Sequence, residues 1–416
     1  MYNKIEEMIR RGVKESESQK EGLSYKDFAI FYRTNAQSRI FEEHFIRSGL
    51  PYNIVGGLRF YERREIKDAI AYLKVIANPS DSLSVMRIIN TPPRGIGKTT
   101  VDRAAALGTE RGMPLFEAFK LAIERGILPP HKGQSFINLI GRFSSKLQEA
   151  RCSIHELAKM LLEESGYIKM WEDEHTEEAE ARIENLHELI SAMRDFEKGR
   201  ESVSLADFLD HVALISDIDT LEDEHNHVPE GFNQGRVTLM TLHAAKGLEF
   251  PVVFMVGMEE GLFPHSRSVN GDSEDELEEE RRLCYVGMTR AMKKLFLLGA
   301  RERTIYGESR FQGQSRFIDE INPDYVEIIN PESRTQNPEF RRDAQSETSM
   351  EEPRIVYDDI QGNDPWKIGM RIKHPSFGIG IIKAKEGIGE DAKLTIMFQS
   401  MGPKKLIAKY ISMPDA

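Results

Sequence analysis

The sequence predicts an α/β protein with a parallel sheet, interrupted by an all-helical insertion and followed by a small antiparallel β unit. Three observations carry this. Short runs rich in Val, Leu and Phe at residues 28–32, 52–55, 237–242 and 252–257 have the unbroken apolar character of strands buried on both faces. Between the second and third run, residues 78–235 show only helical spacing. After a polar stretch, residues 366–387 and 393–410 alternate apolar and polar side chains between Gly-rich turns.

In chain order, a helix is expected over residues 5–13, then the strand FAIFY (28–32), which runs into RTNAQSR (33–39). A helix follows through Ser48, and the strand at 52–55 is closed by Gly56 and Gly57. Strand and helix alternating in this way is the pattern of a parallel sheet. Ile183, Leu186, Ile190, Met193 and Phe196 recur at helical spacing, as do apolar residues over 64–78, 114–125, 153–165 and 204–216. Strands resume at 237–242 and 252–257, followed by a helix over 275–291, a strand over 294–299 and a closing segment at 317–321. The expected domains are therefore 1–77 plus 236–325, an insertion at 78–235 whose two ends must lie close together, a flexible linker at 326–364, and a β domain at 365–416.

With 416 residues, 40% apolar and 30% charged, the chain reads as soluble, globular and multidomain. No apolar run is long enough to span a membrane, and the charged start, MYNKIEEMIRRG, lacks a signal core, so a cytoplasmic protein without a membrane partner is expected. Cys152 and Cys284 fit neither a disulfide framework nor a zinc site. The net charge of −12 is segregated. Acid concentrates in residues 171–181 and 273–280, whereas Trp366 to Met413 holds nine Lys or Arg against Glu386, Glu390 and Asp391. Whole-chain charge alone therefore does not exclude a nucleic-acid partner.

Two constellations carry chemistry. The segment VTLMTLHAAKGLEFPVVFMVG (237–257) puts His243, Lys246 and Glu249 between two buried strands, where α/β proteins hold ligands. In EEERRLCYVGMTRA (278–291), Arg282, Tyr285 and Thr289 share a helix face, and Arg290 near its end can reach a triphosphate across an interface. A third stretch, TPPRGIGKTT (91–100), ends like a phosphate-binding loop, but Pro92 stands where the first glycine is required and removes a backbone donor. An ordinary interhelical turn and a helix start whose amides face a DNA phosphate fit Gly95-Ile96-Gly97 equally.

RTNAQSR, GGLRFYERREIKD (56–68), TLHAAKGLEFPVVF, GMEEGLFPHSRS (257–268) and EEERRLCYVGMTRA, in this order, resemble the C-terminal motifs of the UvrD/PcrA/Rep family of superfamily 1 DNA helicases. The resemblance covers nearly the whole chain. It implies a RecA-like motor domain interrupted by a helical subdomain that contacts duplex DNA, then a Tudor-like β-barrel. Carried over by residue, it implies that Arg33, Asn35, His243 and His265 touch single-stranded DNA with Lys246 nearby. Glu249 would contact the nucleotide ribose, Arg290 would sense the γ-phosphate, and Arg94, Gly95 and Gly97 would meet duplex DNA. The implied activity is ATP-dependent 3′→5′ unwinding with ATP and Mg²⁺, and RNA polymerase is the expected partner of the β domain. The family's first motor domain, with its G-x-x-x-x-G-K-[ST] loop and Mg²⁺-binding carboxylates, finds no match in the sequence. The expectation is the C-terminal half of a translocase, unable to hydrolyse ATP alone. The alternative is a non-catalytic module that binds DNA and docks RNA polymerase.

Overall fold

The computed structural model describes residues 1–15, 23–129, 133–149, 152–200, 202–224, 235–270, 274–300, 302–305 and 308–329, together with four strands between residues 371 and 407 and Lys409. They fall into two compact units, Met1–Ile328 and Ile329–Ala416. From residue 330 onward, the linker expected at 326–364 lies outside the described residues.

The first unit opens with α1 (Tyr2–Glu15), β1 (Phe28–Tyr32), α2 (Ser38–Ser48) and β2 (Tyr52–Val55). Nine helices are then described: α3 (Arg64–Ala77), α4 (Ser82–Ile88), α5 (Lys98–Arg111), α6 (Leu115–Glu124), α7 (Gln134–Glu149), α8 (Ile154–Glu164), α9 (Tyr167–Glu172), α10 (Glu177–Glu197) and α11 (Leu205–Glu224). The chain returns through β3 (Val237–Thr241), β4 (Phe250–Val256), α12 (Ser266–Asn270), α13 (Glu274–Met288) and β5 (Ala291–Leu298), and ends this unit with the hairpin β6 (Glu302–Ile305) and β7 (Glu308–Phe311) and a short α14 (Arg316–Asp319). The hairpin has no counterpart in the sequence expectation. Its four-residue strands, separated by YG, are too short and too polar to show a period.

The five long-range strands form one parallel sheet in the order β2-β3-β1-β4-β5. Sequence-distant halves meet at its centre, where Ile30 of β1 lies opposite both Leu239 of β3 and Phe254 of β4. Every residue of β1 is buried, as its unbroken apolar run requires. Phe28, Ile30 and Tyr32 pack with Ile5 of α1 and Phe45 of α2 on one face, and Ala29 and Phe31 pack with Leu283 and Cys284 of α13 on the other. Burying each Phe contributes on the order of 1.5–3 kcal/mol.

Helices α3 to α11 share a separate apolar core running from Phe60 to Ile215, so α3, which precedes the insertion expected at 78–235, packs with it, and α3, α8 and α10 supply much of the buried surface. Thr176 caps α10 by accepting from the Ala179 amide, and Leu186, Leu189, Ile190 and Met193 line its buried face. Where this core meets α2, buried polar contacts lie beside the apolar packing of Ile46. Arg63 donates to Asn185 Oδ1 (2.8 Å) and Ser38 Oγ (2.7 Å), Asn185 donates to Glu65 (2.6 Å), and the Phe60 amide donates to Glu42 (2.9 Å). Arg39 donates to Glu188 (2.7 Å) and Glu43 (3.1 Å). Burial works against its charge, yet these carboxylates outweigh it and hold the Arg39 pKa above its ordinary value.

In the second unit, β8 (Arg371–His374), β9 (Gly378–Glu386), β10 (Lys393–Phe398) and β11 (Gly402–Ile407) form an antiparallel sheet in the order β11-β10-β9-β8. Ile372, Ile382, Leu394 and Ile396 are fully buried. The antiparallel unit that the alternating sequence predicts is thus formed as a sheet among the described residues.

Candidate nucleic-acid and nucleotide site

The β3–β4 connection is a compact turn. Ala245 N donates to Thr241 O (3.2 Å), Leu248 N donates to Ala245 O (3.1 Å), and the Thr241 hydroxyl accepts from Ala244 N (3.3 Å). Leu242 and Ala245 are the apolar anchors, fully or almost fully buried, whereas His243 between them and Lys246 and Glu249 beyond keep solvent-exposed surface. Partial burial, and then the Arg33 guanidinium, lower the His243 pKa.

Arg33 leaves the end of β1 into a turn held by Gln37, whose Oε1 accepts from the Arg33 and Thr34 amides (2.8 and 3.1 Å). The Arg33 side chain crosses to α13, donating through Nε (2.8 Å) and Nη2 (2.7 Å) to Glu280. His265 approaches from the segment after β4. Its amide donates to Glu280 (3.1 Å) and its Nε2 lies 3.0 Å from Glu184 of α10. That segment is braced from beneath. Glu259, 1% exposed, accepts from Arg303 (2.8 and 3.0 Å) and the Ala300 amide (2.6 Å), and Glu260 pairs with Arg316.

Arg33, Asn35, His243 and His265 therefore line one cleft of about 530 Å³, although they come from three separate motifs. The same lining is also acidic. Glu177, Glu180 and Glu184 of α10 and Glu276, Glu279 and Glu280 of α13 share the lining, and Glu180 forms an ion pair with Arg267. The sequence shows acid concentrated at 171–181 and 273–280. Its approach to the cleft has no local signature.

Lys246 is exposed and lies outside the lining of this cleft. Arg290 and Glu249 form a second locus. The Arg290 guanidinium donates to the Val286 carbonyl (3.0 Å) and reaches the Leu248 carbonyl (3.4 Å), beside Glu249, while the Phe250 amide donates to Arg290 O (2.9 Å). Gly287 permits this closeness. A Cβ there would stand 2.4 Å from Leu242 Cδ2 and 3.0 Å from Met255 Cε, so a larger residue would force those side-chain ends to move.

The turn at residues 91–97 sits apart, within the helical insertion. Arg94 folds inward, its Nη1 donating to the Ile88 carbonyl (2.9 Å), with its guanidinium over the Tyr72 and Phe136 rings. Asn90 accepts from the Arg94 and Ile96 amides (2.8 and 3.1 Å). Gly95, with φ +69°, and Gly97, which precedes the first turn of α5, are exposed, so backbone rather than guanidinium faces out here.

A family profile described as the UvrD-like helicase C-terminal domain matches residues 2–302, and one described as the PcrA/UvrD tudor domain matches residues 368–411. Among similar proteins are ATP-dependent DNA helicases PcrA from Bacillus subtilis (strain 168), 41% identical over 92% of this chain, and from Staphylococcus aureus (strain NCTC 8325 / PS 47), 37% identical over 94%. That from Staphylococcus epidermidis (strain ATCC 12228 / FDA PCI 1200) is 38% identical over 94%. The matches cover 52% of each relative, so the chain spans about half the length of the curated relatives it matches.

Proposed function

The chain belongs to the UvrD-like helicase C-terminal domain family, and from that premise we propose that it supplies half of an ATP-dependent 3′→5′ DNA helicase. The observation that carries the reading is the convergence of Arg33, Asn35, His243 and His265 on one cleft. Arg and Asn donate to phosphate oxygens, and His donates or stacks, so this set suits a single strand. Lys246, on the same β3–β4 turn, would add charge beside the track. Residues 1–77 and 236–325 would act as a RecA-like motor domain, 78–235 as the duplex-contacting subdomain through Arg94, Gly95 and Gly97, and 326–364 as the linker to the domain at 365–416.

Glu249 and Arg290 put a carboxylate and a guanidinium at one corner of the turn, a chemistry that fits a ribose hydroxyl and a γ-phosphate of ATP. Arg290 would stabilise the charge that grows on the transferred phosphoryl group. Among the described residues, no group of three His, Cys, Asp or Glu side chains is placed to hold a metal ion, and no residue here is assigned to Mg²⁺. The chain contains no G-x-x-x-x-G-K-[ST] loop. ATP hydrolysis is therefore expected only when the purified chain is combined with the N-terminal half of a PcrA relative and single-stranded DNA. Robust DNA-stimulated hydrolysis by the chain alone would count against this reading.

A second role is favoured by the tudor-domain match and by the basic balance of Trp366 to Met413. In it, the C-terminal β unit docks RNA polymerase. The full chain should retain RNA polymerase in a pull-down after nuclease treatment, and a chain lacking residues 366–416 should not. Loss of capture on nuclease treatment would assign the basic surface to nucleic acid instead.

A further inference from the structure

We infer that Glu280 is the positioning residue of the cleft, holding Arg33 and the His265 segment in register with the helix that leads to Arg290; this rests on reading the cleft as a single-strand track. Glu280 is 4% exposed, in a protein whose other acidic residues on the same helix, such as Glu278 and Glu279, face solvent. A carboxylate so deeply buried is tolerated only when its oxygens are paired. Both are. Oε1 accepts from Nε (2.8 Å) and Nη2 (2.7 Å) of Arg33, 247 positions away in sequence, and Oε2 accepts from the His265 amide (3.1 Å).

The geometry has two consequences. Pairing through Nε and Nη2 sets the plane of the Arg33 guanidinium, and Nη1, which makes no bond among the described residues, is left as the donor for a phosphate. Glu280 also lies on α13, which ends at Met288, and Arg290 just beyond it donates to the Val286 carbonyl of that helix (3.0 Å). A shift of α13 that moves Arg290 must move Glu280, and with it the donor of one DNA motif and the backbone of another. The helix thereby joins the nucleotide corner to the strand track through one buried carboxylate.

Substitution of Glu280 tests this. Glutamine keeps the shape but offers one acceptor oxygen and two donors, so it cannot accept from both Arg33 and the His265 amide. In fluorescence anisotropy with labelled oligo-dT at fixed salt, Glu280→Gln is expected to weaken binding about tenfold, the scale of a lost charge-assisted bond. Glu278→Gln, which removes the same charge from the exposed face, is expected to bind as the parent does. Arg33→Ala should also weaken binding, and adding Glu280→Gln to it should cost no more than about twofold further, since coupled residues are not additive. Glu280→Asp, which retains the charge but withdraws it by one methylene, should lose affinity as the glutamine variant does. Parent-like binding by Glu280→Asp or Glu280→Gln beside a weakened Arg33→Ala, or fully additive losses, overturns the inference and leaves the track reading standing. Parent-like binding by Arg33→Ala overturns the track reading itself. If the Glu280 variants melt early, hydrogen exchange on the parent decides: the His265 amide should be as protected as those of β1, and fast exchange there refutes the bond.

Discussion

His243 is one of two histidines lining the cleft, and its pKa is shifted by its surroundings. Partial burial, then Arg33, lower its pKa from the ordinary 6.5, while Glu280, Glu177 and Glu279 act weakly the other way. At neutral pH the free imidazole is uncharged. A DNA phosphate alongside favours the protonated form, so the bound pKa lies above the free one, and binding must tighten as pH falls through the bound value and level off below the free one. Oligo-dT affinity should rise by about threefold to tenfold on acidification from neutrality to below 6.5. His243→Asn should flatten that profile. A profile unchanged by the substitution would remove His243 from the track. Residue chemistry of this kind was legible early: RTNAQSR, the His-Lys-Glu turn and Arg290 announce themselves by type and spacing. The inward fold of Arg94 was not, because a guanidinium spent on the Ile88 carbonyl and two rings looks the same in sequence as one aimed at a phosphate.

At the scale of elements, α10 and α13 decide what the cleft can admit. The first turns of α10 carry Glu177, Glu180 and Glu184, which favour its N-terminal dipole and also share the cleft lining with Arg33, Asn35, His243 and His265. Glu184 engages His265 and Glu180 engages Arg267, so a strand must compete with these carboxylates for the same donors. The double substitution Glu180→Gln and Glu184→Gln is expected to strengthen oligo-dT binding by about threefold to tenfold, on the scale of two partly exposed ion pairs and relieved repulsion. Unchanged or weaker binding in anisotropy would show that these acids do not oppose the strand. The helices themselves were legible from apolar period, with α13 ending at Met288 rather than running to residue 291. The β6–β7 hairpin was not, yet it supplies Arg303, the partner of buried Glu259 beneath the His265 segment. Its contribution lies in one long-range pair rather than in a pattern.

For the molecule as a whole, a net charge of −12 sets a repulsive background against any polyanion. Binding must come from local donors, and the cleft offers few that are not already paired. The slope of log affinity against log salt for oligo-dT should therefore be shallow, with a magnitude of about 1–2, and Arg33→Ala should reduce it by about 0.7. A steep slope unaffected by Arg33→Ala would locate the phosphate contacts elsewhere.

By itself the sequence determined the β1 to β4 strands, the long helical stretch between β2 and β3, the antiparallel C-terminal unit and the motifs that make the chain resemble its family. Those follow from local period, turn residues and side-chain type, all carried by near neighbours in the chain. Only the tertiary structure decided that four donors from three motifs share one cleft, that α10 adds acid to its lining, and that Glu280, unlike Glu278 and Glu279, turns inward to bind Arg33 and His265. Parallel strands force crossovers, so β1 and β4 lie side by side with over two hundred residues between them, and which side chains then oppose one another is settled by sheet order and helix packing.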